Sequence, residues 1–115
     1  MVALSLRQPW GWLVVQGYKD IENRIWQVPA KGRIWIHASK TLDRMGCEWV
    51  QRHFPEIELP AEFDRGGLIG TVEHLGCVAQ SHSPWFTGPW GHILRAPEPC
   101  RFRPCRGRLG FFEVG

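Results

Sequence analysis

The sequence predicts an α+β fold, a small closed or partly closed β-barrel with two or three flanking helices. Three observations carry the prediction. Short stretches rich in β-branched and aromatic residues recur through the 115 residues, and glycines interrupt them where a strand would bend. Two helical patterns fall between them, too few alternating units for a doubly wound parallel sheet. The length is that of one ordinary domain, so residues 1–115 are expected to form a single unit with one core.

The elements follow in order. Val2–Leu6 alternates weakly and reads as a first strand. Pro9 suits the first turn of a helix, where its missing N–H costs nothing; the helix runs through Trp12–Val15 and stops at Gly17. Lys19–Arg24 is too short and polar for a core helix and reads as a loop entering a strand. Arg33–His37 is a strand behind Lys31-Gly32. Thr41 to His53 reads as a helix, with Thr41 as N-cap and Leu42, Met45, Trp49 and Val50 at helical spacing. Residues 54–66, rich in Pro, Glu and Asp, read as a surface excursion. Gly67–Val78 is a strand bent at Gly70 and Gly76. Residues 79–90 form a loop carrying Trp85 and Trp90. Two last strands, Gly91–Leu94 and Gly107–Val114, are expected to flank a Pro- and Arg-rich connection at 96–106.

Composition narrows the function classes. No apolar run approaches the ~20 residues of a membrane span, and the N-terminal stretch is too short for a signal peptide, so a cytoplasmic protein without membrane contact is expected. Cys47, Cys77, Cys100 and Cys105 contain no C-x₂-C pair, and the five histidines show no H-x-H or H-x₃-H spacing. Neither metal nor cofactor is expected, and the cysteines read as structural thiols. The net charge is +3, but residues 41–65 carry −3, leaving +6 on the remainder. Eleven of the 14 basic residues are arginine, the side chain whose planar fork matches phosphate. Arg101, Arg103, Arg106 and Arg108 form a cluster that reads either as a phosphate-tracking patch or as a solvated edge.

The richest stretch is Gly17-Tyr-Lys19-Asp-Ile-Glu22-Asn-Arg24. In an extended chain Glu22 and Arg24 project to one side, and Lys19 joins them only if the bend after Gly17 turns it inward. Lys19 reads as a phosphate contact, a base with a lowered pKa, or a surface lysine. Glu22 reads as an acceptor for a nucleobase edge, an activator of water, or the ion-pair partner of Arg24. Arg24 anchors either phosphate or that carboxylate. Arg7, Gln8 and Trp10 stand at a strand-to-helix turn and are read as a ligand-binding rim, Trp10 offering a stacking face or packing in the core. Ser39 and Lys40 follow His37 at a strand end and are read as ligand contacts. Trp85 and Trp90, in a Pro/Gly-rich loop, are the candidate base-stacking platform; Trp26 and Trp35 are read as core. His37 or His92 is a candidate acid–base.

The pattern G-x-K-x-x-E-x-R, present as Gly17, Lys19, Glu22 and Arg24, resembles the hallmark of ASCH domains, a family related to the RNA-binding PUA fold. The resemblance extends through Leu4–Trp10, Gly32–Ser39, Gly70–Glu73, Ser83–Phe86, Gly88–Gly91 and Gly107–Gly110. It implies a PUA-like barrel whose cleft is floored by the motif's charged residues, and a role in RNA metabolism or transcription. Some members are similar to amidohydrolases of N4-acylated cytidine, and others are credited with ribonuclease activity. Lys19 matches the lysine of the amidohydrolase branch, but Glu22 stands where that branch carries threonine. The leading expectation is therefore a module binding single-stranded RNA or a nucleotide, with DNA as an alternative ligand. Lys19 and Arg24 would meet phosphate while Glu22 reads a base edge. A hydrolase using Lys19 and Glu22 on the same ligands, and a protein-interaction module using the tryptophan loop, are the competing expectations.

Overall fold

The structure, a computed structural model, describes residues 1–115 and contains six strands and two helices. They are β1 (Val2–Gln8), α1 (Trp10–Val15), β2 (Ile21–Arg24), β3 (Gly32–Leu42), α2 (Arg44–His53), β4 (Gly67–Val78), β5 (Trp90–Pro104) and β6 (Phe111–Glu113). The strands form one mixed sheet in the order β2-β5-β4-β3-β1-β6. β1 runs parallel to β3, and every other neighbouring pair is antiparallel. The α+β class and the paired helices are those expected, while the sheet stays open, with β2 and β6 at opposite ends. No helix is long and apolar enough to cross a membrane.

The main core fills one side of the sheet, and a smaller cluster of Ala3, Leu68 and Phe112 lies on the other. Leu4 and Leu6 of β1, Ile34 and Ile36 of β3, Val72 of β4 and Leu94 of β5 meet Val14 and Val15 of α1. Truncating any of the larger ones would cost about 2–5 kcal/mol, because a close-packed interior relaxes only partly into the void. A second cluster, around Leu13, Val50, Ile57 and Trp85, packs α1 against α2 and the loop before β5.

Helix α1 ends as its sequence dictates. Gly17 adopts φ 87°, a left-handed conformation that glycine takes without a Cβ penalty, and the N–H groups of Tyr18 and Lys19 both reach the carbonyl of Leu13. This turn sends the chain back along the sheet into β2.

Three local expectations are corrected. β3 continues to Leu42, so Thr41 is the end of a strand; the N-cap of α2 is Asp43, whose Oδ1 accepts the Gly46 N–H at 2.8 Å. Met45, placed on the apolar face by spacing, is 80% exposed. β5 runs unbroken from Trp90 to Pro104, replacing the predicted connection at 96–106, and the last strand shrinks to Phe111–Glu113. Register shifts between β4 and β5 spanning Leu68–Gly70 and His74–Cys77 fall at the expected bends, and a third lies between Thr71 and Glu73.

All four cysteines are free. The second bend in β4 brings Cys77 beside His74 and His92, a trio that sequence spacing conceals. The two imidazoles are spent on one another. The Lys31 N–H donates to His74 Nδ1 (3.1 Å), so Nε2 carries the proton and donates to His92 Nδ1 (2.9 Å). His92 Nε2–H then donates to the carbonyl of Trp26 (3.1 Å). A cation seated among these groups would have to break that relay.

Burial, followed by the neighbouring imidazole and Lys31, pushes His74 down to about 4, and burial lowers His92 as well. An unfolded imidazole takes up its proton near pH 6.5. Between these values the unfolded chain holds more protons than the folded one, so stability rises with pH. Stability that is complete above pH 6.5 is therefore expected to drain away as pH falls toward 4. Urea midpoints measured across that window check this, and His74→Gln should flatten the slope.

Candidate functional site

An open cavity of about 800 Å³ lies where β1, β2 and the start of α2 face the loop before β5. Its charged floor is built from the N-terminal motif. Because Gly17 turns the chain, Lys19 points inward and is only 4% exposed. Its Nζ donates to Glu22 Oε1 at 2.8 Å and to the carbonyl of Ile21, and stands 5.8 Å from the Trp10 ring. From the other side Arg24 Nε approaches Glu22 Oε2 at 3.2 Å, while its Nη2 donates to the carbonyl of Ser5 at 3.0 Å. Glu22 is thus held between two cations, with one carboxylate oxygen assigned to each.

Asn23, between Glu22 and Arg24 in the motif, fixes the facing wall. Its Nδ2 donates to the Trp85 carbonyl at 3.0 Å, and its Oδ1 accepts the N–H groups of Thr87 and Gly88. A second carboxylate, Asp43, accepts the Trp10 indole N–H at 3.0 Å and lies 3.6 Å from Arg7. Burial alone would raise the Asp43 carboxyl, but the Gly46 N–H, the Trp10 N–H and Arg7 together hold it below the usual carboxylate range.

Arg7, Trp10, Lys19, Glu22, Arg24, Ser39 and Trp85 are brought together around this cavity. Gln8, Lys40 and Trp90 are not. Gln8 is sealed in the interior, where its Nε2 donates to the Asp64 carbonyl and its Oε1 accepts the Trp12 N–H; both ends of the amide are used structurally. Trp90 opens β5 opposite Arg24 and lines no cavity described here. Trp85 does reach the wall, but its ring stacks on Phe54 (centroids 4.2 Å apart, 9° between planes) and is only 5% exposed, too little surface to receive a stacked base. At Trp85 packing therefore takes the place of the expected stacking face.

Lys40 lines a second cavity, about 570 Å³, that shares Ser5, Ser39, Arg108 and Leu109 with the first. His37 forms its floor. Cys105 offers only a carbonyl oxygen to His37 Nε2, so that nitrogen carries the proton (2.7 Å); Nδ1 then accepts the Ser5 hydroxyl at 3.0 Å. Gly107 lies so close to the imidazole that a Cβ would overlap it. The basic cluster divides: Arg106 and Arg108 border this cavity, Arg103 lies over the Trp35 ring, and Arg101 faces solvent.

Sequence reading missed Ser5, Asn23, Asp43 and Cys105 as site residues, and it named Arg106 and Arg108 only as part of a basic cluster that could track phosphate or face solvent. Asn23 sits inside the motif and could have been found there; the others come together only through strand pairing.

The open mixed sheet, its two helices and the motif-floored cleft define a small α+β fold organised around a polar hollow. A family model for the ASCH domain matches residues 4–88. Activating signal cointegrator 1 from Mus musculus and from Homo sapiens are each 31% identical over 83 residues, covering 67% of this chain and 14% of theirs. The chain therefore spans about a seventh of those relatives' length. The crystal structure of the ZmASCH S128A mutant protein from Zymomonas mobilis superposes with a TM-score of 0.59 at 16% identity, covering 99% of this chain and 87% of that one. The chain belongs to the ASCH domain family.

Proposed function

We propose that the protein binds single-stranded RNA, or a nucleotide of that kind, with a base in the first cavity. The observation that carries this reading is the Glu22 carboxylate, held by Lys19 and Arg24 at the floor of an open hollow. A carboxylate so clamped is a preorganised acceptor for the amino or imino edge of a base. Lys19 and Arg24 act on Glu22 here, and their charges are largely matched by it, so they are poor candidates for direct phosphate contacts. Ser5 adds a second acceptor. With its proton committed to His37, its lone pairs are left for a donor such as the ribose 2′-hydroxyl, which distinguishes RNA from DNA.

Fluorescence anisotropy with labelled single-stranded RNA and DNA tests the reading. RNA is expected to bind more tightly than DNA of the same sequence, with a salt slope of about −0.7 per phosphate neutralised. Equal binding of both at all salt concentrations, or none, would count against it. Ser5→Ala should narrow the difference between RNA and DNA.

The hydrolase reading has one specific support, the Ser5 hydroxyl donating to an imidazole nitrogen whose ring is oriented by the Cys105 carbonyl. Turnover of acylated nucleosides or RNA, lost in both Ser5→Ala and Glu22→Gln, would favour it over simple binding.

A further inference from the structure

The two cavities differ in how their charges are spent. In the first, the cations of the floor are paired, Lys19 and Arg24 with Glu22 and Arg7 with Asp43, and Arg52 and the shared Arg108 are the lining cations without an ion pair. The second contains no carboxylate. Lys40, Arg106 and Arg108 line it, and none of the three head groups forms an ion pair within the protein. The wall that carries the arginines is anchored: the Cys105 N–H donates to Gly66 at 3.1 Å, and its carbonyl is held by His37 at 2.7 Å. A neutral, hydrogen-bonding group suits the paired floor of the first hollow, and an anion suits the second, where cations meet no carboxylate. Ser5, Ser39 and Arg108 border both, so one ligand can reach across the junction.

We infer that the second cavity is a phosphate subsite, receiving the phosphate attached to the nucleoside whose base lies in the first. This rests on the proposed nucleotide reading and sharpens it: the substrate class is a phosphorylated nucleotide or a link in a chain, and free nucleosides are weak ligands. Lys40 supplies a point charge from the end of β3, and Arg106 and Arg108 supply planar forks from the opposite wall.

Isothermal titration with a nucleoside, its 3′- and 5′-monophosphates and inorganic phosphate tests the subsite. At least one monophosphate is expected to bind about tenfold more tightly than the nucleoside, the gain of one good charge-assisted contact. In the Lys40→Ala/Arg106→Ala double variant that gain should vanish while nucleoside affinity stays unchanged. Inorganic phosphate alone should shift amide resonances of Gly66 and Gly107 in the wild type and not in the variant. Monophosphates no better than the nucleoside, or a gain that survives in the double variant, would overturn the subsite while leaving base binding intact. Phosphate binding that the variant abolishes, in a protein that ignores every nucleoside, would keep the subsite and sink the nucleotide reading. A protein that binds neither phosphate nor nucleotide would remove both.

Discussion

Glu22→Ala is expected to lower folding stability by about 3 kcal/mol, the lower end of the range for breaking a buried ion pair by removing one partner. Glu22 is the only carboxylate within reach of either the buried Lys19 ammonium or the Arg24 guanidinium. Without it Lys19 retains one carbonyl and Arg24 another, so a buried ammonium and a part-buried guanidinium are left without a counter-charge. Glu22→Gln keeps an acceptor in the same space and should cost less. A Lys19→Met/Glu22→Gln variant, in which the buried ammonium is gone as well, should recover much of the stability lost in Glu22→Ala. If the site works as proposed, it will still bind RNA at least tenfold more weakly than the wild type. Urea midpoints at unchanged m-value report the first effect and anisotropy titrations the second. A fully stable Glu22→Ala protein would mean that Lys19 is not held as described.

Trp85→Ala should be at least as damaging, at about 3–5 kcal/mol, because it empties the cluster that joins α2 to the loop before β5. The indole is stacked on Phe54 and lies 6.1 Å from Trp49, and the backbone carbonyl of the same residue, which the substitution leaves in place but no longer holds by packing, is the anchor for Asn23. Trp85→Phe preserves a ring against Phe54 and should retain most of the stability. A Trp85→Ala protein that melts with the wild type and loses only ligand binding would restore the stacking platform that packing has displaced here.

The motif was legible because its logic is local. Gly17 announces a left-handed stop, and Lys19, Glu22, Asn23 and Arg24 follow within seven residues of it, close enough in sequence to share a site. Lys19's direction was not legible, since alternation places it opposite Glu22 and only the turn geometry reverses that. The start of β5 was read as a strand at Gly91–Leu94, but its continuation to Pro104 escaped notice because Pro97, Pro99 and Pro104 read as a loop. β2 pairs with β5 only from Trp90 to Ile93, so beyond that point β5 is an edge strand, where a missing N–H breaks no ladder. Both Thr41 and Asp43 are acceptable N-caps by residue type. The choice fell to Asp43 through contacts with Trp10 and Arg7, from a segment more than 30 residues earlier. That Lys40, His37, Arg106 and Arg108 share a second cavity was hidden for a similar reason: its walls come from the first strand, the middle of the chain and the segment Cys105–Leu109, and meet only in the folded sheet.

Trp10, Trp49 and Trp85 all border the first cavity, and the Trp10 ring lies under the Lys19 ammonium with its N–H on a carboxylate. Indole emission responds to nearby charge and to exclusion of water, so the cleft carries its own optical probe. An occupant that rearranges Lys19 or dries the Trp10 face would register in the intrinsic spectrum without any attached dye. Unlabelled compounds can therefore be screened directly against the native chain.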